Sequence, residues 1–222
     1  MDQVHEVFPL VVYQGSIDCH TELKQYTEEI KKYWFDGYEN ESPEYSGRIL
    51  FHAKPEYEIF FDELKRNVDK YLDKLSVDYT KLSYFVSKCW VGYHNKDIPQ
   101  LNPHTHNESN ISFVYYLKSS VKSDKFCVSQ RTNINENTGA LFETSKQRNT
   151  IRGFNKYNCN FYTITPHEGS VLLFPSHVWH HTLKGELSDE RIVLAGDIKV
   201  TLRPEHVNHH QGCTHPTQWL EL

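Results

Sequence analysis

The sequence predicts a mainly β fold, an antiparallel jelly roll or barrel with supporting helices in its first third. Three observations predict it. Before about residue 80 the apolar residues recur three and four apart. After it they alternate or run together in short stretches rich in aromatic and β-branched residues. Nowhere do strand-like and helix-like stretches alternate regularly, which argues against a parallel doubly wound sheet and for an antiparallel one.

The first helix is expected over Thr21 to Trp34, where Leu23, Tyr26, Ile30 and Tyr33 form a stripe and Thr21 is placed to cap it. A stronger one starts after Pro55, with Ile59, Phe60, Leu64, Val68, Tyr71, Leu72 and Leu75 on its apolar face. Strands are expected at Leu82 to Tyr93, Ile111 to Leu117, Phe126 to Ser129, Asn160 to Thr165, Ser170 to Phe174 and Arg191 to Leu202. The polar, Asn-rich stretch from Gln130 to Tyr157 is expected to be a long loop, of the kind that often forms a lid or binding segment.

The 222 residues are 38% hydrophobic and 14% aromatic, enough to bury one core. A single domain over 1–222 is expected, with 1–80 as helical support, 81–202 as the β core and 203–222 as a tail. Net charge is −5 and Lys and Arg form no block, so a nucleic-acid partner is not expected. No apolar run approaches the roughly 20 residues needed to cross a bilayer. The polar, acidic start lacks the basic and apolar regions of a signal peptide. The five cysteines are odd in number and widely spaced, without a C-x-x-C pair. Reduced thiols in a cytoplasmic protein are therefore expected.

The fourteen histidines carry the chemical signal, because many of them fall in three dense groups. In Asn102-Pro103-His104-Thr105-His106 the two histidines stand two apart, so in an extended segment both face the same side. That suits a metal ion, although two surface histidines in a loop would show the same spacing. Phe174-Pro175-Ser176-His177-Val178-Trp179-His180-His181 follows an apolar run, and His180 is placed to add a distant third ligand. Two ligands close in sequence plus a remote one make a facial set that leaves coordination positions open. The third group, His206, His209, His210, Cys213 and His215, matches no known zinc spacing and is expected to be a tail. Arg191 opens an apolar strand, so its guanidinium will be buried enough to need an anionic partner, either an internal carboxylate or a ligand's.

Together these residues resemble one family. Pro103-His104-Thr105-His106, followed by Ser109, Ser112, Val114, Tyr115, Tyr116 and Leu117, is similar to the first motif of a group of 2-oxoglutarate/Fe(II) oxygenases. Phe174-Pro175-Ser176 with His180, and then Arg191-Ile192, resembles their second. Phe8-Pro9 resembles the start of that group more loosely. The resemblance covers about residues 80 to 200. It implies a double-stranded β-helix (jelly-roll) core, Fe(II) held by His104, His106 and His180, and 2-oxoglutarate as cosubstrate held by Arg191, Tyr116 and Ser112. His106 stands where many relatives carry aspartate or glutamate, and a slipped motif would make Glu108 the carboxylate ligand instead. Phe113 and Val193 stand where the group carries glycine and serine, and Val193 removes one hydroxyl contact to the cosubstrate.

The activity implied is oxidative decarboxylation of 2-oxoglutarate to succinate and CO2, coupled to hydroxylation of a C–H bond in a small molecule or side chain. Three alternatives stand beside it. A cupin-like metalloenzyme without 2-oxoglutarate is favoured by a three-histidine site and by Val193. A non-catalytic binding protein on the same fold is favoured by loss of the carboxylate ligand. A zinc protein would use the C-terminal histidines.

Overall fold

The structure is a computed structural model that describes residues 3, 5–32, 51–95, 102–119, 125–130, 135, 150–183, 190–207 and 215–220. Its described strands form two antiparallel sheets. The larger has the order β1-β6-β3-β8-β2, and the smaller β5-β4-β7. The strands are β1 (Tyr13–Ser16), β2 (Leu82–His94), β3 (Ile111–Lys118), β4 (Lys125–Ser129), β5 (Phe161–Ile164), β6 (Ser170–Pro175), β7 (Trp179–Leu183) and β8 (Arg191–Leu202). From β3 to β8 the chain passes from one sheet to the other at every step except β4 to β5, which pair within the smaller sheet, and this is a jelly-roll arrangement. A single bridge between His104 and His180 lays the segment before β3 against β7, as the start of a further strand on the smaller sheet.

The first described helix, α1 (His20–Lys24), begins one residue earlier than Thr21 would dictate. Cys19 stands at its N-cap without a side-chain cap, and Thr21 lies inside. Residues 27–32 are again helical after a two-residue turn. Leu23 and Ile30 are buried, whereas Tyr26 is partly exposed; Tyr33 and Trp34 lie outside the described residues. The long helix α2 (Glu58–Lys74) follows a 3-10 turn at Pro55–Tyr57, where proline's fixed φ favours the entry. Phe60, Leu64, Val68, Tyr71 and Leu72 are buried as the stripe requires, while Ile59 and Leu75 stay exposed at its margins.

Two cores result. One lies between α2, α1 and the outer face of the larger sheet, joining Phe60, Leu64 and Val68 to Val91, Phe113, Tyr115, Val171 and Leu173. The other lies between the sheets, where Tyr116, Leu172, Phe174 and Val193 meet Phe126 and Val128. β6 serves both, so Val171-Leu172-Leu173-Phe174 is apolar without alternation. Buried Asn67 of α2 fastens the edge strand β1: its amide donates to the Ser16 carbonyl at 3.0 Å and its oxygen accepts from Tyr13 at 3.2 Å.

Two strands lie where none was expected. β1, Tyr-Gln-Gly-Ser, has little β-forming character of its own and is held by pairing with β6. β7, Trp-His-His-Thr-Leu, carries the histidine group that the sequence marks as chemistry rather than structure. Much of the expected loop from Gln130 to Tyr157 lies outside the described residues. No helix among the described residues is long and apolar enough to cross a membrane.

Candidate metal centre

The site is assembled from the inner face of the larger sheet and the edge of the smaller one. In an antiparallel ladder, directly opposed residues share a face. Four rungs run along β2, β8 and β3: Lys88 with Asp197 and Ser112, Trp90 with Ala195 and Val114, Gly92 with Val193 and Tyr116, and His94 with Arg191. All of these except Lys88 and Asp197 line one pocket, which His104, His106, Phe126, Phe174 and His180 close from the other side.

His104, His106 and His180 converge at the head of the pocket. One ring nitrogen of each lies within 4.8 Å of the others, and among the described residues they form the one such metal-capable group. Their ring centroids stand 4.5 Å apart for His104 and His180 and 5.1 Å for each of the other two pairs. The backbone brings them together. His104 and His180 exchange N–H···O bonds of 3.1 and 3.0 Å, and the His106 N–H donates to the Ser176 carbonyl at 2.8 Å.

The three rings are held alike. His104 Nδ1 meets the Asn102 carbonyl at 2.8 Å, His180 Nδ1 the Val178 carbonyl at 2.9 Å, and His106 Nδ1 the Asp197 carboxylate at 2.6 Å. All three partners are acceptors, so each ring donates through Nδ1–H and keeps the Nε2 lone pair for a ligand. Burial pushes the His180 imidazole down to about 4, which keeps it neutral. Three imidazoles with a ring nitrogen each within 4.8 Å of the others fit a first-row divalent metal, and three protein ligands leave coordination positions for other groups. Glu108 is exposed and outside this group, as is His177. His181 follows His180 on β7 and lines the pocket without joining the cluster.

Asp197 is the residue the sequence did not reveal. It is fully buried, and Ser112 Oγ donates to the same carboxylate oxygen at 2.7 Å. The other oxygen faces Lys88 Nζ at 3.1 Å. Burial alone would raise this carboxyl; the bonds from His106, Ser112 and Lys88 outweigh it and hold Asp197 below its ordinary value. The single proton of the Ser112 hydroxyl is thereby turned to Asp197, and its oxygen accepts from the Ser176 hydroxyl at 2.9 Å.

At the far end of the pocket Arg191 and Tyr116 are both buried, where the motif resemblance set them. His94, opposite Arg191, is a second group that the sequence did not mark. It is 6% exposed, and burial, then the neighbouring guanidinium, push its imidazole down to about 4, so it is neutral. Gly92 leaves room for Val193: a Cβ there would stand 2.7 Å from the Val193 side chain. The C-terminal group does not form among the described residues. His206 is exposed, His215 is tied to Thr217, and His209, His210 and Cys213 lie outside them.

Comparison with known proteins gives the same direction. No curated protein sequence matches the chain. Among solved structures, the nickel complex of the non-heme monooxygenase ThoJ superposes with a TM-score of 0.55 at 11% identity, over 88% of this chain and 75% of that one. HygX from Streptomyces hygroscopicus, with nickel and 2-oxoglutarate bound, gives 0.48 at 15% identity, over 86% and 83%. An oxidoreductase of the 2OG-Fe(II) oxygenase family from Burkholderia pseudomallei gives 0.41 at 14% identity over 60% of this chain; the chain spans 52% of that protein's length. Residues 88–197, which contain the three histidines, Arg191 and Asp197, match the family model described as "Putative 2OG-Fe(II) oxygenase". Over that segment, which holds the whole candidate site, the chain belongs to the 2OG-Fe(II) oxygenase family.

Proposed function

We propose that the protein is a cytoplasmic Fe(II)/2-oxoglutarate-dependent oxygenase that hydroxylates a C–H bond of a small molecule or a side chain. His104, His106 and His180 would hold the metal, and Arg191 would hold the distal carboxylate of the cosubstrate. The observation that carries this is the convergence of the three histidines: each meets an acceptor at Nδ1, and one ring nitrogen of each lies within 4.8 Å of the others at a pocket also lined by a buried arginine.

When bound, iron with 2-oxoglutarate would use O2 to supply oxidative decarboxylation to succinate and CO2, one oxygen atom going to succinate and the other to the substrate C–H bond. The residues of this chain supply the rest. Arg191 offers a planar fork that suits a carboxylate bidentately. Neutral His94 and the Tyr116 hydroxyl flank it and can complete the carboxylate's hydrogen bonds without adding charge. Val193 and Ala195 line the path between the two ends with apolar surface, and Phe126 and Phe174 pack on His180 at centroid distances of 5.7 and 4.7 Å and keep water from that ring.

Anaerobic titration with Fe(II) and 2-oxoglutarate tests this. The expected result is a visible charge-transfer band that is absent in His180→Ala and needs far more cosubstrate in Arg191→Ala. Iron binding without the band would favour the cupin-like alternative, which the three-histidine set keeps in view. No iron binding would overturn the assignment.

A further inference from the structure

We infer that Asp197 is a positioning residue of the metal centre, supplying through His106 the negative charge that a carboxylate ligand would otherwise supply directly. This rests on the metal assignment proposed above.

The three histidines are not equivalent. His104 and His180 are each steadied by a neutral main-chain carbonyl. His106 alone is backed by a charged group, at 2.6 Å. That carboxylate is fully buried, and it is set in place rather than left to find a partner: it lies on a sheet rung between Ser112 and Lys88, and both bond to it. A buried carboxylate is costly unless it has such partners. The cost is met here at the position whose only tie to the metal is through one imidazole.

The charge count gives the reason. Three neutral imidazoles leave a divalent ion's two positive charges uncompensated. A set of two histidines and one carboxylate leaves one. Asp197 brings a negative charge up behind the third nitrogen, and the Lys88 ammonium on its far oxygen offsets part of it. A carboxylate behind a ligating imidazole also fixes the tautomer and makes the ring a stronger donor. His106 is thus the ring whose donor strength this chain sets with a charge. Trp90, with its ring centroid 5.6 Å from that of His106, lines the same pocket beside it.

The test uses the full chain with Co(II) alone as probe, together with histidine 15N spectra of the metal-free protein. Asp197→Asn is expected to weaken Co(II) binding by about 10- to 100-fold and to release His106 from its Nδ1–H tautomer, while His104 and His180 keep theirs. Lys88→Met separates this role from plain structural support. It removes the cation from the far carboxylate oxygen, so Co(II) affinity should hold or rise. A loss with Lys88→Met as large as with Asp197→Asn would make the cluster a packing unit and overturn the inference. So would unchanged Co(II) affinity in Asp197→Asn. If Asp197→Asn does not fold, the sign of the Lys88→Met effect still decides. Failure of the unaltered protein to bind metal would instead overturn the functional assignment beneath it, and the two failures are told apart by that first titration.

Discussion

A ligating histidine is held at its other nitrogen, and in this protein three converging histidines are so held by two different means. His104 and His180 borrow carbonyls two residues away in their own segments, whereas His106 reaches a side chain from another strand. His180→Ala should therefore abolish tight Co(II) binding, while Glu108→Gln should leave it unchanged, as isothermal titration will show. Arg191→Ala should weaken 2-oxoglutarate binding by roughly 2 kcal/mol or more, the usual loss when one partner of a buried charged pair is removed. His94→Ala should weaken it by about tenfold, a hydrogen bond to a charged group, with metal affinity intact. The three converging histidines were legible in the sequence as a group because two stand at i and i+2 and the third follows a recognisable Phe-Pro-Ser. Asp197 and His94 were not. Their partners lie 91 and 97 positions away, and neither carries a motif; only the register of β2, β3 and β8 brings them to the pocket.

The strands and helices were legible where their period was strong. α2 and β8 could be read from spacing alone, and β6 from a continuous apolar run that being buried on both faces explains. β1 and β7 could not, because their strand form comes from pairing and not from composition. Two features of the central strands have measurable consequences. Gly196 on β8 has Lys88's carbonyl and the Phe113 ring each 2.6 Å from where a Cβ would be. Gly196→Ala must push β8 away from a backbone it cannot deform cheaply, and should cost roughly 1–3 kcal/mol, the range for overpacking. It should also loosen Asp197, its neighbour, and so weaken metal binding. At the other end of β8, Glu190 is bonded by Lys31 of the helical segment and by the Tyr93 hydroxyl at 2.6 Å. The Lys31 ammonium, then Tyr93, hold its carboxyl down to about 2. A carboxyl lowered on folding stabilises above its unfolded value near 4.5 and loses that contribution as the pH falls toward 2. Glu190→Gln should thus lower stability by roughly 1 kcal/mol at pH 7, a partly exposed pair, and the gap to the unaltered protein should close near pH 2 in urea unfolding.

The molecule as a whole places one buried face of the larger sheet against helices and gives the other to chemistry. That division was legible as a fold class, because helices precede strands, but not as a layout, because nothing local says which face of β3 meets α2. Its thermodynamic signature is metal-dependent stability. An ion that binds only the folded chain adds about 2.7 kcal/mol at a hundred times its dissociation constant. Chelation should therefore lower the melting temperature of the unaltered protein and leave that of His180→Ala unmoved.

The bridge between His104 and His180 carries a kinetic consequence. The smaller sheet has β5 at one border and, at the other, a segment that among the described residues meets β7 in one pair of main-chain bonds and the turn before β7 through His106 N–H on Ser176. A border fastened at few points opens readily, and its amides exchange with solvent at rates set by that local opening rather than by global unfolding. An ion gripping both residues of the pair closes the border from the side-chain direction. Deuterium uptake at the His104 and His180 amides should then fall sharply on metallation while uptake in β2 stays constant. The pair would report metal occupancy as a change in local breathing, with no change in the shape of the fold.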